Sequence, residues 1–275
     1  MNSIKKAALF LLLLAALVSF LYFQNFALQR ETCSVFSSSL PRSFEGFRVL
    51  QLSDLHGRLF GTDSAGLLKA VRKSTPDIIC LTGDLFDEST DLSMLPPLLE
   101  GLTAIAPTFY VTGNHEWQVE GLGEILKQME DLGVTVLENE YVLLEKDDER
   151  IVIAGVHDPC GPYDQKTPHE LMAEIRQEVG EEAYVLMLAH RNDTIDLWAE
   201  LGADLVLTGH CHGGVVRLPF VGGVFGTGRE LFPEYDAGLY EKDGTFLYVS
   251  RGLGYSNIPF RLFNRPHLPI LVLKT

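Results

Sequence analysis

The sequence predicts an α/β protein, a two-sheet β-sandwich flanked by helices and preceded by an N-terminal transmembrane or signal-anchor helix. Three observations carry this. From Phe47 onward, short apolar runs alternate with helical stretches in strand–turn–helix order. Past Val134 the chain lays down successive strands before helical spacing returns, so that each half supplies a sheet edged with helices. Ahead of both, Ala7 to Phe23 runs without a charge.

Composition bounds the function. Among 275 residues, 22 Lys and Arg face 37 Asp and Glu, a formal net charge of −15. An acidic chain lacks the basic face that phosphate backbones require, so a nucleic-acid partner is not expected. A hydrophobic share of 46% excludes a disordered chain, and four cysteines exclude a disulfide-dense scaffold.

Each element follows from local pattern. The run AALFLLLLAALVSFLYF, extendable to Leu28, meets the roughly 17–20 apolar residues that a membrane span needs. No small-x-small cleavage site follows it, which favours an uncleaved anchor over residues 1–28; a cleaved segment would give a secreted protein. Lys5 and Lys6 precede the run, while Arg30 is offset by Glu31, so residues 1–6 are expected in the cytoplasm and the main domain outside. Ser-rich residues 29–46 read as a linker, and 47–275 as the main domain.

Strands are expected at Arg48–Leu52, Asp77–Thr82 and Pro107–Thr112. Helices are expected at Ala65–Lys73, at Leu92–Ala106 with an interruption at Pro96 and Pro97, and at Leu122–Leu132. Val134–Glu138, Tyr141–Glu145 and Arg150–Val156 read as successive strands, followed by a helix at Pro168–Val179 and buried strands at Ala183–Ala189 and Asp204–Thr208. Asp243-Gly244 marks a hairpin between Gly238–Glu241 and Thr245–Ser250, and Ile270–Leu273 is the last strand. The loop Val215–Tyr235, with Phe220, Phe225, Leu231, Phe232 and Tyr235, is expected to pack its side chains against the second sheet; the alternative is a hydrophobic wall next to the site, shaped for a lipid or aryl group.

Five of the eight histidines (His56, His115, His190, His210 and His212) directly follow predicted strands, in turns that also carry Asp54, Asp84 and Asn114. A lone histidine at such a place is commonly a satisfied core or surface residue. Several on the ligand edge of a sheet, interleaved with carboxylates, mark a metal site. In Asp54-Leu55-His56 and His210-Cys211-His212, the i and i+2 side chains of an extended segment would face one ion, with Cys211 turned away. Mixed Asp, Asn and His donors suit Mn, Fe or Zn. His157, His169 and His267 are not expected to bind metal, and the last two read as surface residues. Arg191 and Arg251 read as members of ion pairs, the alternative being a two-pronged hydrogen bond to a phosphate.

The ordered blocks Asp54/His56, Gly83-Asp84-Leu85-Phe86-Asp87, Gly113-Asn114-His115-Glu116, His190 and Gly209-His210-Cys211-His212 resemble the calcineurin-like metallophosphoesterase superfamily. GHCHGG, YDAGLY and YVSRGLG further resemble its YkuE-like branch of bacterial membrane-associated phosphohydrolases, although Cys211 and Val215 stand where that branch usually has Thr and Gln. The resemblance covers about Arg48 to Arg261 and implies two divalent cations. Asp54, His56 and His212 would hold the first; Asn114, His190 and His210 the second; Asp84 would bridge them. His115 would act beside the scissile phosphate, oriented by Asp87. The implied reaction is hydrolysis of a phosphodiester or pyrophosphate by a hydroxide bridging the ions, on a substrate that is lipid-linked or nucleotide-linked, such as a UDP-acylated glucosamine. The alternatives are a phosphomonoesterase, including a protein phosphatase, and a non-enzymatic scaffold.

Overall fold

The computed structural model describes residues 3–162, 165–227, 230–255 and 258–275. α1 (Ser3–Phe26) is the apolar N-terminal helix, and it stands almost wholly clear of the rest of the chain. It is long and apolar enough to cross a membrane.

The first sheet has six strands in the order β1 (Gln29–Phe36), β14 (His267–Lys274), β2 (Arg48–Leu52), β3 (Ile78–Thr82), β4 (Thr108–Val111) and β5 (Val134–Val136). β2 through β5 run parallel, β14 runs antiparallel to β2, and β1 runs parallel to β14. The second sheet is also six-stranded, in the order β12 (Gly238–Lys242), β13 (Thr245–Val249), β9 (Leu205–Thr208), β8 (Val185–Leu188), β7 (Glu149–Gly155) and β6 (Glu140–Lys146). Its four central strands are parallel, with antiparallel strands at both edges.

Neighbouring residues of β3 enter different cores, as the two-residue period of a strand requires. Ile78 and Cys80 point between the sheets, among Val49, Phe109, Ile153, Leu186 and Leu205. Ile79 and Leu81 point outward, under α2 (Ala65–Lys73), α3 (Leu95–Thr103) and α4 (Leu122–Asp131). On the far side, α5 (Pro168–Glu178) and α6 (Ile195–Leu201) cover the second sheet with Leu171, Met172, Ile175 and Trp198. The layers run helix, sheet, sheet, helix. α5 begins at a full capping box between Thr167 and Glu170.

Three expectations need correction. Residues 29–36 are a strand, not a linker: β1 pairs with β14 along its whole length. Its sequence, QRETCSVF, is polar because it is an exposed edge. Pro96 and Pro97 start α3 rather than interrupt it, since the first turn of a helix has no intrahelical use for their missing N–H. His267 is buried under Glu31 of β1, not on the surface. α6 and the two-residue strands β10 (Arg217–Leu218) and β11 (Gly222–Gly223) were not expected.

Candidate metal centre

Five loops leave the C-terminal ends of parallel strands, β2, β3 and β4 in one sheet and β8 and β9 in the other, and meet at one end of the sandwich. Gln51 ties the sheets together just beneath, donating to Thr82 Oγ1 at 2.8 Å and to the Thr208 carbonyl at 2.9 Å.

The loops bring two groups of ligand atoms together. Asp54, His56, Asp84 and His212 form one, Asp84, His190 and His210 the other, and Asp84 belongs to both. In the first, the Nε2 atoms of His56 and His212 are 3.2 Å apart. Asp84 Oδ2 lies 3.7 Å from His56 Nε2 and 3.2 Å from His190 Nε2. In the second group, His190 Nε2 and His210 Nδ1 are 3.2 Å apart. Two ligand nitrogens of one tetrahedral ion stand about 3.4 Å apart, so these spacings fit convergence on a cation. Asp54 Oδ2 and Asn114 Oδ1 are buried without hydrogen-bond partners, as donors awaiting an ion are. Asn114 also lines the cleft. Every expected ligand is therefore at this end of the fold.

The local geometry is not the extended one expected. Asp54, His56, Asp84, His210 and His212 all have positive φ, between 47° and 66°. Left-handed backbone is costly for residues with a side chain, on the order of 1–3 kcal/mol each, and such strain gathers at functional sites. The pairs Asp54/His56 and His210/His212 converge because each turn is coiled, not because alternate residues of a strand share a face. Close approach then demands glycine: a Cβ on Gly209 would stand 2.3 Å from Asp54 Oδ2, and one on Gly113 would stand 2.2 Å from Asp84 Oδ1.

Orientation comes from backbone and buried polar groups. His190 Nδ1 donates to the Thr82 carbonyl at 2.9 Å, which leaves Nε2 free as a ligand. Asp54 Oδ1 accepts from His210 N, and Asp84 Oδ1 from His115 N. Glu116, fully buried, accepts from the N–H groups of Asp84, Leu85 and Gly113 and so fastens two ligand loops to each other. Burial first, and Asp84 second, push its carboxyl up to about 7. Sequence reasoning did not single out this residue, although it stands in the same block as Asn114 and His115.

Electrostatics tie the ligands together. Burial would depress the His190 imidazole, but the Asp84 carboxylate beside it outweighs this and lifts it to about 10. Burial, then His190 and Arg191, drop His210 to about 3.

His115 lines a cleft of about 350 Å³ together with His56, Asp84, Asn114, Arg191, His210, His212 and Tyr255. Its ring packs edge-on against His56, centroids 4.9 Å apart. Asp87 is placed differently from expectation. Its Oδ2 is 3.3 Å from His56 Nδ1, so the carboxylate backs a metal-group histidine rather than His115. The reason lies in the loop after β3, where Ser89 and Thr90 hydrogen-bond Asp87 Oδ1 and leave Oδ2 turned to His56.

The remaining basic residues resolve simply. Arg191 grips Asp158 with Nε and Nη2 at 2.6 and 2.9 Å, and its Nη1 faces His210 Nε2 at 3.0 Å. Arg251 pairs with Glu31, and Cys211 is buried in the core behind the second sheet. His157 is a structural residue. Trp117 Nε1 donates to Thr112 Oγ1, and that hydroxyl donates to His157 Nδ1. Desolvation holds this imidazole at about 4, below its ordinary 6.5. As pH falls from 6.5 towards 4, the unfolded chain takes up a proton that the folded chain refuses. Stability therefore declines across that window and levels off below it. His157→Gln is expected to flatten the fall in Tm between pH 7 and 4 relative to the parent protein. An unchanged slope in thermal melts would show that His157 does not enter the fold neutral.

A family model described as calcineurin-like phosphoesterase matches residues 47–214. The chain is 28% identical over 262 residues to an uncharacterized metallophosphoesterase, YkuE, of Bacillus subtilis, covering 92% of this chain and 88% of that protein. It is 32% identical over 240 residues to the phosphodiesterase YaeI of Escherichia coli, covering 82% of each. A transmembrane protein with metallophosphoesterase domain from Bos taurus is 30% identical over 248 residues, 86% of this chain and 54% of that longer protein. Among solved structures, the sulfate thiohydrolase SoxB of a Thermus thermophilus superposes with a TM-score of 0.53 at 13% identity, over 86% of this chain and 57% of that one, a likeness of fold alone.

Proposed function

The chain belongs to the calcineurin-like phosphoesterase family, and from that premise we propose that it hydrolyses a phosphodiester or pyrophosphate bond of a membrane-derived substrate. It is a metal-dependent phosphoester hydrolase with residues arranged for a binuclear site. The observation that carries the proposal is the sharing of Asp84 by two convergent ligand groups at the floor of one cleft.

In this reading Asp54, His56 and His212 would hold one ion and Asn114, His190 and His210 the other, with the Asp84 carboxylate available to both. Two bound divalent ions would supply Lewis acidity to the phosphoryl oxygens and a water acidic enough to act near neutral pH. The protein's own residues do the rest. Coiled turns and Glu116 hold the ligands in advance of binding. His115 lines the cleft wall and would act there as proton donor to the leaving oxygen. Arg191 has Nε and Nη2 committed to Asp158 and one Nη1 N–H facing His210 Nε2, so the second Nη1 N–H is the donor left to meet a phosphoryl oxygen.

Asp87 is a positioning residue for His56, accepting from Nδ1 and so turning Nε2 towards Asp84 and His212. Asp87→Asn is expected to weaken metal binding by roughly 10–100-fold, the usual effect of losing such a partner. Chelator competition measures this. Unchanged affinity with a lowered kcat would move Asp87 back to His115.

The diester reading draws on the relative that is named a phosphodiesterase, and the membrane reading on α1 and the transmembrane relative. The test compares bis-p-nitrophenyl phosphate with p-nitrophenyl phosphate on the full chain in detergent, metal-free and with added Mn²⁺. Metal-dependent cleavage that favours the diester supports the proposal. Preference for the monoester would replace it with a phosphomonoesterase.

A further inference from the structure

The end of α1 is fastened to the catalytic domain beside the metal cleft. Asn25, near the C-terminus of α1 and buried, exchanges hydrogen bonds with the backbone of Arg261: Nδ2 donates to the Arg261 carbonyl at 3.1 Å, and Oδ1 accepts from Arg261 N at 2.8 Å. Arg265 donates to the carbonyls of Ala27 and Leu28 at 3.0 and 2.8 Å, and its guanidinium lies over Phe23 at 4.3 Å. Arg58 donates to the Asn25 carbonyl and stacks on Phe26 at 5.4 Å and on Tyr255 at 4.3 Å. Tyr255 in turn lines the metal cleft. A single chain of contacts therefore joins the apolar helix to the mouth of the site.

Around this junction the surface is apolar. The Phe263 ring packs against Phe20 of α1, centroids 5.7 Å apart. Phe20 lies six residues before the end of α1, so Phe263 reaches roughly 9 Å back along the helix. Beside Phe263, the β10–β11 turn presents Leu218, Phe220 and Val221, all exposed. Contrary to expectation, these side chains do not pack on the second sheet. Phe225, Leu231 and Phe232 in the same loop are exposed as well. Exposed aromatic and aliphatic tips, rimmed by arginines at the level where an apolar helix ends, have the chemistry of an interfacial anchor, which sinks about 5–10 Å into the headgroup boundary.

We infer that Phe220, Val221 and Phe263 enter the interfacial layer of the bilayer beside the end of α1, so that the mouth of the metal cleft rests at headgroup level. The occupant of this face is the membrane that holds α1, because the patch is continuous with α1 through Phe20 and Phe263. The domain is then not a body hanging from a tether. It lies on the lipid surface with Tyr255 and Arg58 between headgroups and metal ligands, which suits a phosphoester presented by a lipid. The inference rests on α1 spanning the bilayer.

The test uses the full chain in phosphatidylcholine nanodiscs whose acyl chains are brominated either close to the headgroup or close to the chain end. Single tryptophans are introduced at exposed positions, and quenching is read against the parent protein. Leu14→Trp, midway along α1, reports the span. Leu143→Trp, on β6 at the sheet edge opposite β12, reports a position away from lipid. Phe220→Trp and Phe263→Trp are expected to be quenched by shallow bromines and much less by deep ones. Leu14→Trp should show the reverse, and Leu143→Trp neither. If Leu14→Trp is quenched while Phe220→Trp and Phe263→Trp behave like Leu143→Trp, the docking surface is overturned and the anchor stands. If Leu14→Trp is not quenched, the anchor reading fails and takes the docking surface with it. Neither outcome touches the metal chemistry.

Discussion

Asp84→Asn is expected to leave a folded protein that has lost metal from both positions and almost all activity. Asparagine suits the test for three reasons. It tolerates the left-handed backbone that Asp84 adopts, with φ of 51°. Its side-chain oxygen can still accept from His115 N, as Asp84 Oδ1 does. It fits where Gly113 leaves room for Asp84 Oδ1. What is removed is the negative charge shared by the two ligand groups, together with the oxygen Oδ2 that faces His56 and His190, which becomes an amide NH2. That charge also opposes the desolvation of His190. Losing the bridge removes several kcal/mol of transition-state stabilisation, and about 4 kcal/mol is already a 10³-fold fall in rate. Metal per chain by elemental analysis and kcat on the diester are the two readouts. A variant that kept two ions and parental turnover would remove Asp84 from the bridge and leave the two groups as separate sites.

Most of the architecture was legible in the sequence, and so was the gathering of the expected ligand residues at one end of the fold, because both depend on local pattern. Runs such as DIICLT and DLVLT are apolar on both faces, as strands between a helix layer and a second sheet must be. The ligands follow those runs directly. What was not legible depends on partners distant in sequence. QRETCSVF gives no strand period, and only its pairing with β14 makes it β1. His267 looks terminal until Glu31 covers it. The apolar loop 215–235 cannot say from composition whether its aromatics fill a core or face lipid. The position of α1 against Phe263 bears on that. The attachment of Asp87 to His56 depends on how Ser89 and Thr90 turn the carboxylate, a choice of rotamer below the resolution of a motif. The left-handed turns are hidden for a similar reason. Flanking glycines announce a tight loop but do not assign the positive φ to Asp54, His56, Asp84, His210 and His212 themselves.

His115→Ala separates catalysis from metal binding. His115 belongs to neither ligand group, and its ring stands on the cleft wall, edge-on to His56. Removing that ring leaves the His115 backbone N–H on Asp84 Oδ1, so both metal positions keep their ligands and the loop keeps its anchor. Metal content is therefore expected to match the parent protein while kcat on diesters with alkoxide leaving groups falls by about 10²–10⁴-fold, the range for loss of a general acid. The size of the loss carries further information. A p-nitrophenolate leaves without needing a proton, whereas an alkoxide requires one as the bond to phosphorus breaks. The deficit in His115→Ala should then be small with bis-p-nitrophenyl phosphate and grow with diesters of poorer leaving groups. A deficit of equal size across that series would make His115 a group that stabilises the phosphoryl oxygens rather than a proton donor. Loss of metal in this variant would instead draw His115 into the ligand set and break the division of labour between the two halves of the Asn114-His115 pair.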